Sequence, residues 1–453
     1  MRTVIPALAV LLAATSVQAQ PLGGEQPLLK EVAAGVSAAR QKATIEKLVS
    51  FGTRHTGSDT KSDKRGIGAA RRWIASEFEA ASKDCGGRLK VATPSKVMTA
   101  ERLAGPTEVM DILGVLPGTK DPNRVIVISG HYDSRVTDAK NFTSDAPGAN
   151  DDGSGTAAVM EAARVLCKHE FPATLVFAAL AGEEEGLLGG RVLAEYAVAQ
   201  GWDVEANLNN DIVGNTEGIG GVRDNTHVRV FSEGTRSTET AEEANRRRYN
   251  GGEVDSPSRN LARFMDGLAD RYLTNLDVVM VYRTDRFGRG GDQTEMLRAG
   301  FPAVRVTEAV ENYTRQHQDL RTENGIRYGD TVDGVDFAYL AQVTRLNVVT
   351  MAALASAPKP PTGVEISGAV SADTTVKWKP AADAAAYKVW WRATTEPQWR
   401  YSRTADTSGQ AKLSGVNIDD WFFGVSAIGA DGYESPVVFP GAAGTFERGG
   451  VSK

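Results

Sequence analysis

The stretch Thr174–Gly190, TLVFAALAGEEEGLLGG, constrains this chain more than any other. Its apolar run Leu175–Ala181 halts at Gly182, and three consecutive glutamates follow. A short apolar run closed by glycine reads as a strand buried on both faces. Adjacent carboxylates at the end of such a strand repel one another and resist desolvation unless a cation lies among them. A lone acidic triplet is ordinarily a solvated turn, but the remainder of the chain reverses that preference.

At 453 residues the chain has room for two or three domains. Its 41% apolar and 24% charged content are those of a soluble globular protein. A formal charge of −6 and the lack of a long basic run argue against a nucleic-acid partner. Residues 1–19 carry one Arg, the apolar stretch Val4–Ala14 and Val17-Gln18-Ala19 as a small-x-small site. They read as a secretory signal peptide cleaved near Ala19, because the apolar stretch is short of the ~20 residues a span needs. No other stretch is expected to cross a bilayer, so the protein is expected to be exported, to periplasm or medium. Cleavage removes one Arg and no acid, taking the charge from −6 to −7.

Only two cysteines are present, Cys85 and Cys167, each near the end of a predicted helix. They either pair or remain thiols, and the sequence leaves both open. Two cysteines cannot build a thiolate-rich zinc site, so a metal here must use nitrogen and oxygen ligands.

Periodicity predicts helices over Leu28–Phe51 and Ile67–Ala81, then strands within 89–115, including Glu108–Leu116. Strand–loop–helix alternation follows: strand Val125–Ser129, helix Gly153–Leu166, strand Leu175–Ala181, helix Leu187–Ala199 and strand Ala206–Ile212. Residues 215–260 read as loops around one strand, Val228–Ser232. Helix Arg259–Leu273, helix Gln293–Ala299, strand Ala303–Thr307 and a long helix Asp333–Ala355 complete the series. Such alternation predicts an α/β fold, a three-layer α/β/α sandwich around a central, mostly parallel mixed sheet.

A proline cluster at 357–363 reads as a linker. Beyond it, short alternating segments recur, and five of the seven tryptophans fall there. They predict a small C-terminal all-β sandwich over 364–445. That stretch resembles a fibronectin type III domain, through PTGV, Trp378, Tyr387-Lys-Val-Trp390 and Phe422–Ala427.

The polar residues after each predicted strand carry the chemistry. They are Gly130-His131-Tyr132-Asp133-Ser134, Gly148–Gly155 with Asp151 and Asp152, Glu183 with Glu184, Asp211, and later His317. In an open α/β sheet, ligands bind outside the carboxyl ends of the strands, so these residues converge by topology. Imidazole and carboxylate donors suit Zn, Co or Mn. Their number suits two ions sharing a carboxylate, which together polarise a carbonyl and acidify a bridging water. A carboxylate left over then serves as general base.

GHYDS, GANDDGSG, AGEEEGLLGG, NNDIVG and the later histidine, in this order, resemble peptidase family M28, the zinc aminopeptidases. The likeness spans about residues 40–355 and makes 20–356 the expected peptidase domain. It implies two Zn²⁺, with Co²⁺ or Mn²⁺ as substitutes. Asp151 would bridge them, His131 and Asp211 would complete one site, and Glu184 and His317 the other. Glu183 would be the general base, and Asp133 would orient His131. A cis peptide between Asp151 and Asp152 is also implied. Many family members have Asp-His where this chain has Asp292-Gln293, a departure expected to alter the substrate pocket rather than metal binding.

The expected activity is removal of N-terminal residues from peptide substrates. A carboxypeptidase-like or glutaminyl-cyclase-like enzyme on the same fold, or a non-catalytic binding protein, are the alternatives. His55, His169 and His227 read as surface or structural. Gly153-Ser154-Gly155 lacks the following Lys of a phosphate loop, and Ser134 and Ser154 have no base–orienter set.

Overall fold

The structure, a computed structural model, describes residues 24–448. The leader expected over 1–19 lies outside the described residues. Eight segments form one sheet: β1 (Lys90–Ala92), β2 (Ile112–Leu116), β3 (Asp121–His131), β4 (Ala173–Leu180), β5 (Asp203–Asn210), β6 (His227–Phe231), β7 (Asp277–Val281) and β8 (Ala303–Glu308). Across the sheet they run β1, β2, β4, β3, β5, β8, β6, β7. The four central strands β4, β3, β5 and β8 are mutually parallel. Antiparallel pairings occur only outside that block, at β1–β2, β2–β4 and β8–β6.

Strand alternation divides the core. Ile126 and Ile128 of β3 join one cluster with Leu346 and Val349 of the helix Phe337–Ser356, while Val125 and Val127 join another with Leu193 and Leu297. Both faces of the sheet are therefore covered, and each fully buried aliphatic side chain contributes about 1.5–3 kcal/mol. The helix Gly153–Leu166 ends at Cys167 and the helix Ile67–Asp84 ends at Cys85, and a disulfide joins these two ends with Cα atoms 5.7 Å apart.

Several elements differ from the sequence reading. The first helix is two, Pro27–Ala34 and Ala38–Val49, separated at Gly35–Ser37, where Ser37 Oγ accepts from the Arg40 amide. The expected strand Glu108–Leu116 splits at Asp111, a buried residue whose carboxylate accepts from the Ala181 amide at 3.1 Å. The region read as loops contains a helix, Ala241–Asn250, with no buried residue and hence no apolar stripe; a Thr240/Glu243 capping box starts it. Edge strand β7 and a hairpin of Arg321–Glu323 with Ile326–Tyr328 were also not expected.

The final long helix starts later, at Phe337, because the Asp336 carboxylate caps it by accepting from the Ala338 and Tyr339 amides. Phe337–Ser356 is long and apolar enough to cross a membrane, contrary to expectation; that apolar character is instead used in the core, where most of the helix is buried.

After this helix the chain forms two three-stranded sheets. Thr362–Ser367, Thr374–Lys379 and Gln410–Leu413 make one; Tyr401–Ala405, Ala386–Ala393 and Trp421–Ile428 make the other. Val376, Trp378, Tyr387, Val389, Phe423 and Val425 fill the space between them. A buried ionic cluster joins them to the helix Pro257–Tyr272 and the turn before it: Asp255 receives Arg392 Nη2 at 2.7 and 2.8 Å and Arg263 Nη1 at 2.8 Å.

Candidate metal centre

Parallel pairing brings the carboxyl ends of the central strands to one rim. His131 ends β3 in register with Leu180, the last residue of β4, so Glu183 and Glu184 emerge beside it. Asp211 directly follows β5, and Asp151 precedes the helix Gly153–Leu166. His317 arrives from the connection after β8 with a left-handed φ of 56°. Ile212 and Leu187, beside Asp211 and the glutamates, also have positive φ, at 53° and 59°. For non-glycine residues, and β-branched Ile212 above all, this conformation is strained, and such strain collects at functional sites.

All six expected residues meet. Donor atoms of His131, Glu183 and Asp211 lie within 4.8 Å of one another, and so do those of Asp151, Glu184 and His317. Asp151 stands between the trios, with Oδ1 3.3 Å from His131 Nε2 and Oδ2 2.8 Å from His317 Nε2. Glu184 Oε1 is 2.9 Å from His317 Nε2, and Asp211 Oδ1 is 3.9 Å from His131 Nε2. The peptide between Asp151 and Asp152 is cis.

The donor set fits zinc. Nε2 of His131 is buried without a hydrogen-bond partner among three carboxylates, a costly arrangement unless a cation takes its lone pair. Titration behaviour carries the same message. Burial, joined by the nearby charges of Asp211, Glu184 and Asp292, pushes the Glu183 carboxyl well up. Burial also disfavours ionised Asp151, but the imidazoles of His317 and His131 outweigh it and hold that carboxyl well below its usual range. Burial opposes a charged His131, yet Asp133, Asp151 and Asp211 raise its pKa well above normal.

Other residues fix these donors. Asp133 Oδ1 lies 3.4 Å from His131 Nδ1, and its two oxygens accept from the Glu183 and Glu184 amides at 3.3 and 3.1 Å. One carboxylate thus aligns a ring and the turn that carries two glutamates. Asp152 accepts from the amides of His131, Gly155 and Ile212, tying three segments together. Asp330 accepts from the Asn150 and Asp151 amides, at 2.7 Å for the latter. Arg305, fully buried, places Nη1 2.6 Å from Asp211 Oδ2. Arg135 donates to Glu184 Oε2 at 2.8 Å and stands 2.7 Å from His317 Nδ1.

Sequence reasoning gave no role to Asp152, Asp330, Arg305 or Arg135. Two signals were present: Asp152 is an N-cap residue type ahead of an Ala-rich helix, and Arg305 is a lone charge within the apolar strand AVRVT. Asp330 and Arg135 carry no local signal.

Gln293 corrects an expectation. It is fully buried and does not line the cleft; its Nε2 donates to Asp285 Oδ2 at 2.6 Å and its Oε1 accepts from Asn209 at 3.1 Å. Asp285 in turn lies 3.6 Å from Arg305, so Gln293 acts on the support of Asp211 rather than on the shape of the substrate pocket. His55 is buried, 3.1 Å from Glu185 Oε1, which makes it structural rather than superficial.

Residues 111–333 match the sequence profile of peptidase family M28. A probable zinc metalloprotease of Leptosphaeria maculans is 46% identical over 409 residues, covering 89% of this chain and 95% of the relative. Among solved structures, the LapA aminopeptidase of Legionella pneumophila superposes with a TM-score of 0.51 at 21% identity, covering 72% of this chain and 74% of that one. A leucine aminopeptidase precursor from Bacteroides thetaiotaomicron gives 0.50 at 17% identity over 70% and 97%. Those structures share the fold, and the rim of histidines and carboxylates supplies the residues that the motif order leads one to expect. At that identity and coverage to the Leptosphaeria relative, the chain belongs to peptidase family M28.

Proposed function

We propose that this chain is an exported zinc aminopeptidase with two zinc ions, which removes N-terminal residues from peptides. The observation that carries the reading is Asp151, whose two oxygens face a histidine of each trio, His131 at 3.3 Å and His317 at 2.8 Å. His131, Asp151 and Asp211 would hold one ion, and Asp151, Glu184 and His317 the other. Zinc, when bound there, supplies Lewis acidity for the scissile carbonyl and lowers the pKa of water.

The remaining work falls to the chain. Glu183, partly open to the cleft and with its pKa raised by burial, takes a proton from the attacking water and returns it to the leaving amine. Asp133 keeps the His131 ring turned toward Asp151 and Asp211. The acidic rim receives the substrate's ammonium group. The two C-terminal sheets form the fibronectin type III-like module after the linker at 357–363.

Metal analysis of the purified chain tests the ion count, with about two zinc per chain expected. Paired peptides with free and acetylated N-termini test the terminus. Cleavage of the acetylated peptide alone would overturn the aminopeptidase assignment.

A further inference from the structure

Asp151, Glu183, Glu184, Asp211 and His317 form the floor of a cleft of about 820 Å³ whose lining is rich in arginine: Arg102, Arg135, Arg286 and Arg289. Among the described residues, Leu187 and Tyr313 are the only large apolar side chains that line it. A bulky aliphatic substrate side chain would gain little burial there. A carboxylate would gain much more, because a guanidinium offers a planar fork of donors matched to it.

Most of this positive charge is incompletely matched. Arg102 is exposed, and its one hydrogen bond among the described residues runs from Nη1 to the Glu184 carbonyl at 2.7 Å. That bond fixes the guanidinium next to a proposed zinc ligand and leaves its other donors open to the cleft. Arg286 and Arg289 converge on Glu311 at 3.6 and 3.2 Å, and Glu311 is already paired with Arg229 at 2.7 Å. Asp285, the other acid near Arg286 at 3.2 Å, also faces Arg305. Outside the glutamate turn and the metal donors, Glu101 is the one acidic residue in the lining. Of the acids on the floor, Asp151, Asp211 and Glu184 are assigned to cations that offset their charge, which leaves Glu183 and Glu185 against the four arginines.

We propose that the cleft selects substrates bearing a carboxylate close to the scissile bond, read by Arg102 on one segment and Arg289 on another. The carboxylate is either an acidic side chain or the free C-terminus of a short peptide. The inference rests on the peptidase reading and names its substrate class.

Matched pairs test it on the zinc-loaded full chain: an Ala-Glu amide peptide against its Ala-Gln counterpart, and Ala-Ala against Ala-Ala amide. In at least one pair the acid member is expected to have a kcat/KM about 10–100-fold higher, the range for hydrogen bonds to charged groups. Preference in the first pair assigns the side chain, and in the second the C-terminus. R289Q, which touches no proposed zinc ligand, should shrink the ratio with unchanged zinc content, mainly through KM. R102Q should shrink it further, and added salt should lower it in the wild type. Acid and amide members turned over within about twofold of each other would overturn the proposal. If no peptide is cleaved, the peptidase reading fails, and the same pairs are titrated by calorimetry. There the carboxylate must tighten Kd by the same factor, and equal affinities would overturn the inference independently.

Discussion

The two donor trios at the rim are built from different materials. His131 and Asp211 lie at strand ends, with side chains 1% and 4% exposed, and Asp211 is braced by the buried Arg305. His317 comes from a loop, in a left-handed backbone conformation, with its side chain 27% exposed. Its neighbour Arg135 reaches both His317 and Glu184 from a segment that is itself a loop. The strand-borne trio inherits its geometry from the sheet, whereas the loop-borne trio depends on side chains holding one another. Binding groups on rigid elements are placed more accurately than those on loops, so the ion bound by the loop trio should be the more readily lost.

The largest expected effect is on Glu183, which stands in the strand-borne trio but is not assigned to either ion. Changing Glu183 to Gln should cut turnover about 10²–10⁴-fold with zinc content intact, read by steady-state kinetics and metal analysis. Near-normal turnover would leave both trios as metal holders and remove Glu183 from the chemistry. On the strand side, Arg305→Met leaves Asp211 buried without its cation. Loss of one partner of a buried pair costs about 3–5 kcal/mol, so the zinc-free variant should unfold at a clearly lower urea concentration.

Asp133→Asn probes the same side more gently. It keeps the shape and removes the charge behind His131, and zinc affinity should fall about 10–100-fold in competition with a chromogenic chelator. His317→Ala should affect fold stability least, by under about 1 kcal/mol, since the loop contributes little to the core. Zinc content should drop to about one per chain. Were His131→Ala to spare zinc while His317→Ala removed all of it, the contrast drawn between strand and loop would be reversed.

Much of this arrangement was legible in the sequence. β3, β4 and β8 carry their own apolar runs, and Gly153–Leu166 begins and ends where its sequence does. A two-residue period or a continuous apolar run is a local signal that survives without tertiary context. The helix Ala241–Asn250 escaped because it buries nothing: caps and pairs such as Glu242–Arg246 stabilise it, and neither produces periodicity. Strand β7 and the hairpin near 321–328 escaped because short edge strands are largely exposed and carry little apolar pattern.

The site divides in the same way. That the six site residues meet at one rim was readable because each follows a recognisable strand or motif. Their braces were mostly unreadable, because Asp330 reaches Asp151 across 179 positions and Arg305 reaches Asp211 across 94. Gln293 shows how a correct motif can be misassigned in space: its position in the chain suggested the pocket, and packing put it beneath Asp285.

By itself, then, the sequence determined the buried strands and the apolar helices that cover them, and which carboxylates and imidazoles must leave the sheet at one rim. Hydrophobic periodicity and the handed strand–helix–strand connection are properties of neighbouring residues. Only the tertiary structure decided that Asp330 braces Asp151, that Arg305 faces Asp211, and that arginines line the cleft. Those are contacts between residues distant in sequence, set by how the layers pack, and no local pattern encodes them.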